Sequence, residues 1–297
     1  MTTQILDPGR ANLFGSLWMI GSMAGFAVED MFLKAAAQTL PLGQILMLFG
    51  AGGALVFAAL AIWKGQPLYT PEVLSRPMRW RVFFEIFGRL FYALAIALIP
   101  LSVATVILQA TPLVVVAGAA VIFGERVGWR RWTAVFVGLV GVVVIIQPSG
   151  GSFSALSILA VGGMLGFAGR DLASRAAPAS LSTYILGFYG FLSVVVAGAV
   201  ILLWSGASVA AMDITLLLTI LGAVLAGVTA YGSLMKAMRT GDVSAVTPFR
   251  YTRLIFGIAL GILVFNEALT GAMILGSVLI MLSGLFIFWR GKQIQQP

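Results

Sequence analysis

Arg250, Tyr251 and Arg253 fall inside a stretch that is otherwise apolar, "VSAVTPFRYTRLIFGIALGILVF" (243–265). No acid lies within that stretch to neutralise them. Guanidiniums three apart on a helix share roughly one side, and each offers a planar fork that matches a carboxylate or a phosphate. A second apolar stretch holds Glu85 and Arg89, four apart, with Tyr92 one turn further. The spacing predicts a self-neutralising Glu85–Arg89 pair, with Glu85 also in reach of one arginine across the helix gap. Gln109 stands near the middle of a third stretch, where its amide can bond a solute or a neighbouring helix. The chemistry these residues can do is recognition. The chain has no histidine and no cysteine, so Ser-His-Asp triads, thiolate nucleophiles, disulfides and the commonest metal sites are excluded. No Walker motif is present, no cofactor or metal is implied, and no enzyme activity is expected.

The elements that hold these charges must be membrane helices. Of 297 residues, 60% are hydrophobic and only 9% are charged, against about 25% charged in a soluble domain. A bilayer core takes roughly 20 apolar residues per helix. Ten spans are expected: 12–33, 42–63, 81–99, 102–123, 131–147, 154–173, 181–204, 214–236, 243–264 and 269–290. "IPLS" (99–102) and "QPSGGS" (147–152) read as tight turns, and "KGQPLYTPEVLSRPMRW" (64–80), with three prolines, as a true loop. The N-terminal "MTTQILDPGR" lacks the basic and small-residue features of a secretory signal, so the first apolar run is expected to stay as a helix.

The net charge of +8 lies mostly in the gaps between spans, which is a topology signal rather than a nucleic-acid face. With the N-terminus placed in the cytoplasm, that side collects Arg10, Lys64, Arg76, Arg79, Arg81, Arg126, Arg130, Arg131, Arg170, Arg175, Lys236, Arg239, Arg290 and Lys292. The opposite side collects only Lys34. Both termini are therefore expected in the cytoplasm.

"MAGFAVEDMFLKAA" (23–36) and "MLGFAGRDLASRAA" (164–177) agree at seven of fourteen positions, 141 residues apart. "FGERVG" (123–128) and "FNEALT" (265–270) close the fourth and ninth spans at a spacing of 142, and Ser102 matches Ser244. Five spans separate the copies. An odd number makes the second half enter the membrane in the opposite sense, a mark of secondary transporters. The expected fold is an all-α polytopic membrane protein, ten transmembrane helices arranged as two inverted-topology five-helix repeats, residues 1–150 and 151–297.

Two five-helix halves, each opening on G-F-A-x-x-D and each carrying a Glu after its fourth helix, resemble the drug/metabolite transporter superfamily in its EamA-type branch. Within that branch the chain looks most like bacterial exporters of aromatic amino acids. The resemblance covers about residues 12–290 and implies a central cavity between the halves, with the fifth and tenth helices at the periphery. In that architecture Trp18, Phe26, Tyr92, Phe167 and Tyr231 would line the cavity and stack on an apolar solute, beside Arg89, Gln109, Arg250, Tyr251 and Arg253.

Asp30 and Asp171 each precede a base by four residues, Lys34 or Arg175, so an i,i+4 pair at a helix end is expected, serving either as a gate or as plain helix-end solvation. Glu125 and Glu267 read as loop contacts that fix the next helix, and Asn266–Glu267 as a helix break. Gly21/Gly25 and Gly257/Gly261 are G-x-x-x-G packing motifs. Trp80 and Trp132 read as interfacial. The function expected is export of small metabolites, amino acids with aromatic or bulky apolar side chains foremost, by alternating access in the bacterial inner membrane. A phosphosugar, nucleotide-sugar or drug transporter of the same fold is the alternative. A lipid-modifying membrane enzyme or a channel fits less well. Expected partners are a small-molecule solute and the lipid bilayer, not nucleic acid, with a homodimer left open.

Overall fold

The structure is a computed structural model that describes residues 8–124, 127–146, 155–178, 180–240 and 243–295. It is all-helical: α1 (Pro8–Ala36), α2 (Leu42–Trp63), α3 (Arg76–Leu98), α4 (Leu101–Leu108), α5 (Thr111–Ile122), α6 (Trp129–Ile146), α7 (Ser157–Arg175), α8 (Thr183–Ser205), α9 (Ile214–Thr240), α10 (Val243–Val246), α11 (Thr252–Phe265) and α12 (Gly271–Gln295). Short 3-10 turns occupy Pro71–Leu74 and Thr247–Tyr251, and no strand occurs among the described residues. The turn expected at 147–152 lies outside them.

Two expected spans are not continuous. The stretch 102–123 is broken into α4 and α5 at Gln109–Ala110, and 243–264 is broken into α10, a 3-10 turn and α11. A proline stands at each break, Pro112 and Pro248. Proline has no N–H, so the carbonyl one turn back loses its donor. Thr111 Oγ1 donates to that freed carbonyl of Leu108 at 2.5 Å. Among the described residues, eight helical stretches are long and apolar enough to cross a membrane, counting 101–122 as one, so the chain is a multi-pass membrane protein. α3 and α7 are the long helices outside that set; α3 carries Arg76, Arg79, Arg81, Glu85 and Arg89, and α7 carries Arg170, Asp171 and Arg175.

The helices pack in a reciprocal pattern. α1 packs on α9 and α7 on α3, while α2 pairs with α8, α4 with α11 and α6 with α12. Small residues set the approach. A Cβ on Gly43 would lie 2.6 Å from the carbonyl of Gly198, and one on Gly198 would lie 2.7 Å from the carbonyl of Gly43. Further along, Gly50 meets Val195, Gly53 meets Phe191, and Gly187 meets Phe57, so α2 and α8 run antiparallel. The same reading holds for α6 and α12, where Gly138 meets Ser283 and Gly141 meets Gly276 and Ile280. Close backbone approach of this kind is what drives helix association where lipid supplies no hydrophobic difference. Of the G-x-x-x-G pairs, Gly257 and Gly261 pack on Thr105 and Ser102, but in the first pair only Gly25 is used, against Ala230; Gly21 meets nothing within 4 Å. Trp80 and Trp132 are both exposed.

Gly198→Leu removes the closest backbone crossing in the molecule's α2–α8 seam. Overpacking of this kind costs about 1–3 kcal/mol, so thermal unfolding in detergent should begin at a lower temperature, while Gly21→Leu should leave the midpoint unchanged.

Candidate functional site

A cavity of about 670 Å³ lies between the halves, within the roughly 300–1,000 Å³ typical of small-molecule sites. α1, α3, α5, α7, α8, α9, α11 and α12 all contribute, as do both helix breaks. Its deep end is marked by Glu29 and Tyr92; its other end reaches Arg81, Ser174, Arg175 and Met238. Those last residues lie at the α3 N-terminus and the α7 and α9 C-termini. Nothing from 93–107 lines it. Phe26, Arg89, Tyr92, Gln109, Phe167, Tyr231, Arg250, Tyr251 and Arg253 all do.

Trp18 does not. It is 37% exposed on α1, with the Lys236 ammonium 3.9 Å from its ring centroid. It stands level with Lys236 of α9, whose neighbours Met235 and Met238 line the cavity, so it misses the wall through its place on the exposed side of α1 rather than through its height.

The charges pair differently from their sequence spacing. Asp30 does not hold Lys34. Its Oδ2 accepts from Arg253 Nη2 at 2.6 Å and from the Tyr92 hydroxyl at 2.9 Å, just behind the cavity wall. Nor do Glu85 and Arg89 neutralise each other. Arg89 Nη1 donates to Glu29 Oε1 at 3.0 Å, and Glu85 lies 3.8 Å from Arg81 and 3.4 Å from Arg170. Arg170 also grips Asp171 Oδ1 through Nε and Nη2, at 3.0 and 2.8 Å. Asp171 Oδ2 in turn lies 4.0 Å from Arg250. The acids near Arg250 and Arg253 are therefore Asp171 and Asp30 rather than Glu85. For Asp30 and Arg89 the physical reason is the same: a counter-charge from a neighbouring helix comes within hydrogen-bond distance inside the buried bundle and displaces the i,i+4 partner. Glu85 keeps an i,i+4 partner, but that partner is Arg81.

Glu29, Arg81 and Arg170 were not among the sequence candidates. Arg81 and Arg170 read as loop charges, yet Arg81 is buried, donating to Ser174 Oγ at 3.0 Å and to the Leu186 carbonyl at 3.3 Å. Glu29 is 2% exposed. The available signal for Glu29 was its place in the repeat: it aligns with Arg170, the one charge reversal in the duplicated segment.

Aromatic rings flank the guanidiniums. Arg89 lies 5.7 and 5.8 Å from the ring centroids of Phe49 and Phe167, Arg170 lies 4.8 Å from Phe167, and Arg253 lies 5.2 Å from Phe26. Gln109 Nε2 donates to the Arg250 carbonyl at 2.9 Å, so the two helix breaks are tied to each other at the cavity wall.

The end beyond Tyr92 is sealed. Glu267 accepts from the backbone N–H groups of Leu101 and Ser102 at 2.6 and 2.9 Å and from Ser102 Oγ at 2.6 Å, so it caps the N-terminus of α4. Lys34 Nζ lies 3.9 Å from Glu267 and donates to the carbonyls of Ile96 and Ile99. Asn266, with φ +52°, ends α11 and aims Glu267 back at that site. Glu125 lies outside the described residues. No cluster of metal-ligating side chains occurs among the described residues.

With this geometry, comparison with known proteins is decisive at family level. The EamA-like transporter family matches residues 13–147 and again 155–289. The chain belongs to that family. Its relatives are transporters rather than enzymes. It is 27% identical to a riboflavin transporter of Vibrio cholerae, with 95% of each chain covered. It is 23% identical to an S-adenosylmethionine uptake transporter of Rickettsia prowazekii, covering 97% of this chain and 96% of that one. It is 30% identical to the pseudopaline exporter CntI of Pseudomonas aeruginosa, covering 87% and 90%. A solved crystal structure, 19% identical, superposes with a TM-score of 0.63 over 98% of this chain and all of that one, and shares the fold. The protein is therefore a membrane transporter of the drug/metabolite class acting on small-molecule solutes.

Asp30→Asn leaves the Arg253 guanidinium buried without its counter-charge, which costs about 3–5 kcal/mol. Combined with Arg253→Gln, much of that loss should return. A double-mutant cycle read by thermal unfolding in detergent measures the coupling; additive losses would mean the two side chains do not depend on each other.

Proposed function

We propose that the protein exports small metabolites that carry a carboxylate and an aromatic or bulky apolar body, amino acids foremost, across the bacterial inner membrane by alternating access. The observation that carries this reading is the state of Arg250. Arg89, Arg170 and Arg253 each hold a carboxylate at 3.4 Å or closer. Arg250 lies only 4.0 Å from Asp171, which Arg170 already grips, and with its side chain 34% exposed it is the most accessible of the four. Of these four it has the most capacity to meet a solute anion. Arg253, committed to Asp30, serves as structure behind it. Phe26, Phe167 and Tyr231 supply the apolar wall. Riboflavin and S-adenosylmethionine, named for two relatives, each contain a flat heteroaromatic ring, which such a wall also suits. One loosely held arginine is a weak match for the multiply charged phosphates of a phosphosugar or nucleotide sugar.

Direction and topology follow from charge. The cavity reaches the end of the bundle where Arg76, Arg79, Lys236 and Arg290 lie, and the positive-inside rule assigns that end to the cytoplasm. Loading from the cytoplasm favours export. We take all ten helical rods as spans, α4–α5 and α10–α11 each counting as one, with both termini cytoplasmic. α3 and α7 cross as well, because their charges face the cavity and one another rather than lipid. The antiparallel pairing of equivalent helices, α2 with α8 and α6 with α12, supports two inverted repeats, 1–150 and 151–297.

Topology is testable because the chain has no native cysteine. Ser208→Cys should react with an impermeant thiol reagent from the outside and Tyr69→Cys only from the cytoplasmic side; labelling of both from one side would sink the ten-span arrangement. For the solute, uptake of radiolabelled L-phenylalanine and L-tryptophan into proteoliposomes is the direct assay. Arg250→Gln should raise KM about tenfold or more, as loss of a charge-assisted hydrogen bond does, with Arg250→Lys recovering only part. Wild-type KM in Arg250→Gln would remove Arg250 from the site.

A further inference from the structure

The duplicated segment preserves Asp30 as Asp171 but reverses one charge: Glu29 stands where the second copy has Arg170. The residues facing those two positions differ as well. Arg170 of α7 meets Glu85 of α3. The equivalent of Glu85 in the second half, 142 residues on, is Gly227 of α9. A Cβ on Gly227 would lie 3.1 Å from Glu29 Oε2 and 3.0 Å from the Phe49 ring, so the glycine admits the carboxylate without answering its charge. Glu29 instead draws its counter-charge from Arg89, across the boundary between the α1–α9 and α3–α7 pairs. Arg89 is itself incompletely satisfied: its Nε is buried with no hydrogen-bond acceptor. Both side chains line the cavity. The neighbouring Asp30–Arg253–Tyr92 cluster also leaves an arginine Nε without an acceptor, but its carboxylate, Asp30, does not line the cavity, so a solute ammonium could not reach it as it reaches Glu29.

We propose that Glu29 and Arg89 form the head-group site for a zwitterion, the pair opening so that a solute ammonium takes Glu29 and the solute carboxylate takes Arg89. This rests on the solute reading above and deepens it: Arg250 captures the solute near the mouth, and Glu29–Arg89 seats its head group at depth. The argument is charge balance. In the empty cavity the two groups satisfy each other. A zwitterion replaces one internal pair by two crossed pairs and leaves no charge over. A simple anion on Arg89 would strand Glu29, and a simple cation on Glu29 would strand Arg89, each an uncompensated buried charge. The pair therefore selects molecules that carry both charges. Phe167, which lines the cavity beside Arg89, offers its ring face to an incoming ammonium as well.

Two measurements test this. In detergent, glycine, acetate and methylammonium are compared at equal ionic strength for their effect on the thermal midpoint. Glycine should stabilise the wild type most, acetate should stabilise Glu29→Gln, and methylammonium should stabilise Arg89→Gln. In proteoliposomes, L-phenylalanine is compared with 3-phenylpropionate and phenethylamine. Relative to wild type, Glu29→Gln should shift preference toward 3-phenylpropionate and Arg89→Gln toward phenethylamine, each by about tenfold. Should either single variant fail to fold, the double variant Glu29→Gln/Arg89→Gln strands no charge, and it should lose the preference for phenylalanine. An unchanged ranking of the three compounds in the variants, or a double variant that keeps the preference, would overturn the proposal. A wild type that transports none of the three while the stabilisation pattern holds would refute the aromatic amino-acid reading and leave the zwitterion site standing.

Discussion

A charged group held away from water needs a partner, and in this chain that requirement organises everything around the cavity. The bundle is otherwise apolar, so each ionised side chain is a large free-energy term that must be met within a few ångströms. Asp30 meets Arg253 and Tyr92, Glu29 meets Arg89, and Arg170 joins Glu85 to Asp171. Apart from Arg170–Asp171 within α7, these contacts run between helices rather than along them. They tie α1 to α3 and α11, and α3 to α7, which fixes the cavity wall at the level where a solute would sit. Arg250, 4.0 Å from Asp171, is less fully met, and the proposed solute site rests on that difference.

Helix geometry follows a second constraint, the lack of any solvent difference between lipid and apolar side chains. Association then depends on close backbone approach, and the glycines of α2, α6, α8 and α12 supply it. The two proline-broken rods, α4–α5 and α10–α11, cross near the cavity, where Gln109 reaches the carbonyl of Arg250. Irregular backbone at membrane depth is tolerated where it is enclosed by protein, and here it places Arg250 and Tyr251 on the wall. The far end is closed by a different device. Glu267, from the second half, caps a helix of the first half, and Lys34 stands beside it. One end of the cavity is thus held by a cross-half cap while the other reaches the basic end of the bundle.

Much of this was legible in the residues alone. Composition established a membrane protein, because 9% charged residues cannot coat a soluble surface. The doubled G-F-A-x-x-D segment marked two halves, and the family match at 13–147 and 155–289 falls on the same division. Most of the aromatic and polar residues singled out do share one cavity, since a costly polar residue in an apolar helix has few other places to face. The partners were not legible. Local spacing assigned Asp30 to Lys34 and Glu85 to Arg89, whereas the folded chain joins residues 223 apart in one case and 60 in another. Periodicity describes a face of one helix and carries no information about which other helix covers it. Trp18 stands level with cavity-lining residues of α9 and still misses the cavity, because it packs on Lys236 at the exposed side of α1. What sequence by itself determined was solvent, repeat and the identity of the expensive residues. Only tertiary packing decided which acid answers which base, because that choice is made by distances between helices that are remote along the chain.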